Sequence, residues 1–219
     1  MKNNLTELVF ILDRSGSMQS LTDDTIGGFN SLITKQRGEK GECLVSTVLF
    51  NNKSDVLYDR VPLEKIPEMT RKDYEAMGGT ALIDAIGEAI HHIGNVHKYA
   101  RSEDVPKHTL FVIITDGMEN SSCMYTSDKV KSMIERQKSK YGWEFLFIGA
   151  NIDAVETAKS FGIARERAVD YIADGQGTDA VYGSVCAAVS MMRADAPLAA
   201  NWSEEISRDF KKRAPKFRK

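Results

Sequence analysis

The sequence predicts an α/β fold: a doubly wound, mostly parallel Rossmann-like sheet with helices on both faces and one antiparallel edge strand. Three observations carry that expectation. Leu8–Leu12 and Leu110–Ile114 are apolar runs with no polar break, the pattern of strands buried on both faces of a parallel sheet. Further apolar runs alternate with stretches of helical period, the order that βαβ units produce. One pair of runs, 42–50 and 55–61, is joined only by Asn51-Asn52-Lys53-Ser54. That link is too short for a crossover helix but fits a hairpin, so 55–61 is expected at an antiparallel edge.

Each element has its own signal. The first strand stops on Asp13. Ser20-Leu21-Thr22-Asp23 has the Ser-x-x-Asp spacing of a helix start, and Ile26, Phe29 and Ile33 recur at helical spacing until Gly38 ends the run. Gly27 and Gly28 inside this helix cost about 1 kcal/mol each relative to alanine, which close packing on the sheet would explain. After the hairpin, a connection with Pro62 and Pro67 leads to Met77-Gly78-Gly79-Thr80. Leu82, Ile86, Ile90 and Ile93 then mark one face of a strongly periodic helix. The strand 110–115 ends on Asp116-Gly117. A helix over 127–140, a strand over 144–149, a helix over 154–161, a strand over 168–172 and a small-residue helix over 178–192 continue the alternation.

Beyond Pro197, Asn201-Trp202-Ser203-Glu204 has capping-box spacing, and Trp202, Ile206 and Phe210 form a stripe expected to dock on the same domain. Residues 1–196 are therefore read as one domain, and 197–219 as a C-terminal helix with a basic tail. The tail, Lys211 to Lys219, reads as a solvated, disordered end rather than an arm for nucleic acid.

Composition narrows the function. A chain of 219 residues suffices for one α/β domain with a full core, and a net charge of −2 favours neither bulk nucleic-acid binding nor a membrane surface. No apolar run approaches the roughly 18 residues of a membrane span, and Met1-Lys2-Asn3-Asn4 shows no signal-peptide h-region. Cys43, Cys123 and Cys186 are scattered, odd in number and without CxxC spacing. They point to a reduced, cytoplasmic protein rather than a disulfide frame or zinc site.

The chemistry gathers where strands end. Asp13-Arg14-Ser15-Gly16-Ser17 follows the first strand, Thr80 closes Gly78-Gly79-Thr80, and Asp116 follows the buried strand 110–115. Right-handed connections place the strands ending in Asp13 and Asp116 side by side at the switch point, where open α/β sheets bind ligands. Two carboxylates held close raise each other's pKa unless a cation neutralises them, and three nearby hydroxyls offer neutral oxygens suited to a hard divalent ion. Five protein groups for six octahedral positions leave at least one for water or an incoming ligand.

In these residues the chain resembles the von Willebrand factor A-type domain with its metal-ion-dependent adhesion site. Asp13, Ser15 and Ser17 match the Asp-x-Ser-x-Ser element, Thr80 the later threonine, and Asp116 the last aspartate; Gly79-Thr80-Ala81-Leu82 and Ile114-Thr115-Asp116-Gly117 also look like the family. The resemblance covers about residues 6–192. It implies a non-enzymatic, metal-dependent protein-binding module in which Asp13, Ser15, Ser17, Thr80 and Asp116 hold Mg²⁺, with Mn²⁺ or Ca²⁺ as alternatives, and a partner's Asp or Glu takes the open position. Helix amino termini near Ser20 and Thr80 would strengthen that pull.

Neighbouring residues carry two readings each. Arg14 steers an acidic partner or is a solvated surface residue; Glu119 holds a metal-bound water or starts a helix. Asp84 orients a loop or favours a first helical turn, and Asn151 and Asp153 line the rim or serve turn and cap. His91, His92, His97 and His108 have no metal-ligand spacing and read as ordinary surface or partly buried histidines. A hydrolase fits poorly: Ser15 lacks the G-x-S-x-G setting and no histidine follows His108. An aspartyl phosphatase would need a carboxylate where Ser15 stands. A subunit recruiting substrates to an ATP-driven complex would differ only in its partner.

Overall fold

In the computed structural model, which describes residues 4–214, strand β1 (Leu5–Asp13) is buried from Thr6 onward. It lies at the sheet centre between β2 (Glu42–Phe50) and β4 (His108–Thr115), and both run parallel to it. Strand β3 (Ser54–Pro62) pairs antiparallel with β2, as the short hairpin link requires. Strands β5 (Glu144–Gly149) and β6 (Ala168–Asp170) extend the other side, giving the order β3-β2-β1-β4-β5-β6. The first crossovers go one way from β1 and the later ones the other, so the switch point falls between β1 and β4.

Alternate residues of the unbroken strands feed two cores. Leu8, Phe10 and Leu12 pack with Phe29 of α1 (Thr22–Arg37), Val185 of α5 (Gly175–Arg193) and Ile206 of α6 (Glu204–Arg213). Val9 and Ile11 pack on the other face with Ile86 of α2 (Leu82–Tyr99), Val130 of α3 (Ser127–Tyr141) and Ala158 of α4 (Ala154–Ser160). Trp202 joins the first core and donates its ring N–H to the Glu166 carbonyl at 2.8 Å, which docks the C-terminal segment.

Several local expectations are corrected. Ser20 starts no capping box, because the chain leaves the Asp13 loop already wound as a 3-10 turn over Gly16–Leu21; Asp23 instead pairs with Arg71. Gly28 does not serve packing on the sheet. A methyl there would stand 2.2 Å from the ring of Tyr182, so it is α5 that comes close, and Gly27 meets nothing within 4 Å. Strand β6 is shorter than the apolar run, and α5 begins at Gly175 with Asp174 as its cap, accepting from the Gly177 N–H at 2.8 Å. A methyl at Gly177 would reach 2.0 Å from the Ile172 carbonyl, so the glycine that obscures the helix start permits that close turn. At the far end α6 is preceded by Ser203 with no side-chain cap bond, not by an Asn201 box.

Lys211, Lys212 and Arg213 form the last turn of α6 rather than a disordered tail; Arg213 pairs with Asp174 and Asp209. Residues 1–3 and 215–219, the first of the amino-terminal residues and the rest of the basic tail, lie outside the described residues. The three cysteines are unpaired, and burial pushes the Cys43 thiol up to about 12. No helix among the described residues is long and apolar enough to cross a membrane.

Candidate metal centre

The carboxyl ends of β1 and β4 bring Asp13 and Asp116 together, with Ser15, Ser17 and Thr80 beside them. Asp13 is fully buried, Asp116 is 4% exposed, and Ser15 and Thr80 are buried too. Ser17 is exposed and marks the open side. Its hydroxyl donates to Asp116 Oδ1 at 2.5 Å and lies 3.1 Å from Ser15 Oγ. The remaining geometry shows at Gly117. A methyl placed there would be 3.2 Å from Thr80 Oγ1, 3.7 Å from Ser17 Oγ and 4.0 Å from Asp13 Oδ2, so these three oxygens all lie within 4 Å of one point, and the threonine oxygen is the one a side chain would crowd. The Thr80 hydroxyl makes no hydrogen bond among the described residues.

The electrostatics are uncompensated. Burial raises the Asp13 carboxyl above its ordinary value against hydrogen bonds from Thr115 and Ser15, and the Asp116 charge adds a smaller push. Burial likewise raises Asp116, opposed by the Ser17 hydroxyl. Neither carboxylate has an ion pair among the described residues. Two buried acids, three hydroxyl oxygens and no side-chain cation fit a hard divalent ion: the donor set is all oxygen and the charge balance lacks about two positive units. Among the described residues no group of three or more His, Cys, Asp or Glu could hold a metal, so an ion here would depend on the hydroxyl oxygens beside the two carboxylates.

Residues that the sequence did not single out build the frame. The Ser15 N–H donates to Asp13 Oδ1 at 2.6 Å and the Thr115 hydroxyl to Asp13 Oδ2 at 2.6 Å. Tyr74 donates its hydroxyl to the Asp13 carbonyl. Asn52 Oδ1 accepts from Gly79 N–H at 2.9 Å, and Asn120 Oδ1 from Thr80 N–H at 2.9 Å. Gly78, at φ +77°, passes its carbonyl to the Gly16 N–H at 3.0 Å and so ties the threonine loop to the first loop. Thr115 had a signal, being polar at the end of an apolar strand. Asn52, Asn120 and Tyr74 had none, because only the fold brings them near.

The ambiguous residues now have places. Glu119 accepts from Ile83 N–H at 2.8 Å and from the N–H groups of Ser121 and Ser122, so it caps α2 across space. With Ser122 Oγ accepting from Asp84 N–H, the first turn of α2 is already occupied and is not an open set of donors for an anion. Asp84 orients a loop: its carboxylate accepts from the N–H groups of Cys123, Met124 and Tyr125 at 2.8–2.9 Å. Glu119 and Asp84 thus latch the loop after Asp116 to the helix that follows Thr80. Arg14 is not a solvated arginine; it pairs with Asp55 on β3 and is 14% exposed. Asn151 donates to the Asp116 carbonyl at 3.4 Å, and Asp153 caps α4. Three histidines are held by acids away from the centre: His92 by Asp59, His108 by Asp195, and His97 by the buried Glu7, which Arg60 also grips.

No protein-family model matches the sequence, and no curated protein matches it. Solved structures match in fold. Proximal thread matrix protein 1 of the mussel byssus, with a zinc-occupied MIDAS motif, is 11% identical over 87% of this chain and 47% of its own, with a TM-score of 0.58. A von Willebrand factor type A protein from Catenulispora acidiphila is 17% identical over 86% of this chain and 43% of its own, at 0.54. The manganese-loaded TRAP protein of Plasmodium vivax is 20% identical over 73% of this chain and 63% of its own, at 0.54. The chain spans less than half the length of the first two. The architecture is the von Willebrand factor type A fold.

Proposed function

We propose that the chain is a divalent-cation-dependent protein-binding module that docks an Asp or Glu of a partner protein. The observation that carries this reading is the pair of buried carboxylates, Asp13 and Asp116, with no cationic side chain among the described residues paired to them. Asp13, Ser15, Ser17, Thr80 and Asp116 would hold the ion. When bound, it would supply a Lewis-acidic corner for an incoming carboxylate. The zinc and manganese named for two structures of the same fold support a divalent ion here, and the compact hydroxyl-rich set favours Mg²⁺ over larger cations.

The chain's own part is to keep that corner electrophilic. Ser15, Ser17 and Thr80 contribute oxygen without charge, so two carboxylates face the ion rather than four or five. Hydrogen bonds to Asp13 from Ser15 and Thr115 hold its oxygens in place and draw negative charge off them. The exposed Ser17 leaves the approach open from solvent. We read the centre as non-enzymatic, since His92, His97 and His108 are engaged by Asp59, Glu7 and Asp195, and among the described residues no histidine is hydrogen-bonded to Ser15 or Ser17. The free thiols fit a reducing, cytoplasmic setting.

Calorimetric titration of the chain with MgCl₂, MnCl₂ and CaCl₂, followed by partner capture with and without EDTA, tests the proposal. Saturable one-site binding lost in Asp13→Ala and Asp116→Ala, with capture lost in parallel, is the expected result. Absence of saturable binding, or phosphatase or esterase turnover that Ser15→Ala abolishes, overturns it.

A further inference from the structure

We propose that the partner is gripped a second time, in the cleft between α2 and the β2–β3 hairpin, by a segment carrying a large apolar side chain and a Lys or Arg near its metal-binding acid. This rests on reading the Asp13–Asp116 centre as a cation-dependent docking site.

The cleft measures about 410 Å³, within the range of pockets that bury a ligand group. Its floor is core: Val9, Val48, Ala89 and Ile93 are all buried yet line the opening. Its walls are apolar side chains left in water on two different elements. Val56 on β3 is 57% exposed, and Met124 in the loop ahead of α3 is 67% exposed. Facing apolar walls over an apolar floor favour an apolar anchor, and methionine adapts to the shape of what enters.

The walls of the cleft are hydrogen-bonded to the loop and helix that frame the metal centre. At one end it starts at Ser54, directly after the turn whose Asn51 carbonyl accepts from Ala81 N–H at 2.7 Å and whose Asn52 holds Gly79. On its other side, Met124 and Tyr125 are the residues that Asp84 pins, four positions after Thr80. The hairpin turn and the loop ahead of α3 thus tie both walls of the cleft to the segment around Thr80.

Its polar groups select the charge. Glu88 on α2 is half-buried at the cleft and makes no ion pair or hydrogen bond among the described residues. Asp59 stands on the hairpin side and, among the described residues, pairs with the His92 ring. A Lys or Arg would be the complement to Glu88, the carboxylate that no side chain among the described residues meets. The Ser54 hydroxyl is buried without a hydrogen-bond partner among the described residues, so a partner's backbone could satisfy it.

The test pans a random-peptide display library on the full chain in MgCl₂ and in EDTA. Magnesium-dependent peptides are expected to combine Asp or Glu with Phe, Leu or Met and with Lys or Arg. Against the Glu88→Lys chain, the preference for Lys or Arg should turn to a second acid. Val56→Asp, on an exposed edge position, should weaken the selected peptides by about tenfold while leaving Mg²⁺ affinity unchanged. Magnesium-dependent peptides that carry no base, or that ignore both substitutions, would overturn the cleft and leave the metal-docking reading standing. No magnesium-dependent enrichment, in a chain that binds Mg²⁺, would overturn both.

Discussion

Replacing Gly117 by alanine probes the metal centre at its narrowest point. Gly117 does not adopt the left-handed backbone of Gly78 or Gly142, so alanine is not strained there. Its methyl would lie 3.2 Å from Thr80 Oγ1, about 0.3 Å inside ordinary contact, and within 4.0 Å of Ser17 Oγ and Asp13 Oδ2. Relief requires the threonine oxygen to retreat by a few tenths of an ångström. Mg²⁺ tolerates that badly, because it demands near-octahedral oxygens at about 2.0–2.1 Å. A misplaced ligand or supporting group costs roughly 10–100-fold in metal affinity, or about 1.4–2.8 kcal/mol. Ca²⁺, with bonds of about 2.3–2.6 Å and flexible geometry, should lose less. Calorimetric titration with both ions reads the difference, and the melting temperature in EDTA should move by no more than about 4 °C. A Kd for Mg²⁺ within about twofold of the unmodified chain would refute the convergence of Thr80, Ser17 and Asp13 on one ion.

Three further outcomes follow from the frame. Gly28→Ala drives a methyl into the Tyr182 ring and should cost about 1–3 kcal/mol, whereas Gly27→Ala, with open space, should gain up to about 1 kcal/mol of helix propensity; opposite shifts in melting temperature would show it. Asp84→Ala leaves the N–H groups of residues 123–125 without their acceptor, so their hydrogen exchange should accelerate well ahead of the sheet; unchanged protection would contradict the latch. Hydrogen bonding to Arg213 holds the Asp174 and Asp209 carboxyls below their ordinary values. Lowered acids stabilise the fold above their unfolded pKa and lose that contribution as pH falls through the folded one. The difference in melting temperature between the unmodified chain and Arg213→Gln should therefore be present at pH 7 and vanish toward pH 3. A difference that persists in acid would rule the linkage out.

Element type, order and the gathering of the five candidate oxygen donors were legible in the chain because they depend on local pattern. An unbroken run such as Leu8–Leu12 can be satisfied only between two packed faces, and Asp13, Ser15, Ser17, Thr80 and Asp116 each sit at a strand or helix boundary that periodicity locates. Helix starts were less legible. The Ser20 and Asn201 spacings suggested caps, but the side chains found no free N–H, since the chain entered one helix through a 3-10 turn and the other after Ser203. The short strand β6 and the early start of α5 at Gly175 were hidden by Gly175 and Gly177, the second of which permits a close approach to the Ile172 carbonyl.

What the sequence determined by itself, then, is that two carboxylates and three hydroxyls end up together at the carboxyl end of a mostly parallel sheet, because buried strands, right-handed crossovers and short loops allow little else. Tertiary structure alone decided how those oxygens are held. Asn52 and Asn120 on the threonine loop, Tyr74 and Thr115 on Asp13, and the Glu119 and Asp84 latch are contacts between residues tens of positions apart. No local pattern encodes such a contact; it exists only once the sheet has set the distance between its loops.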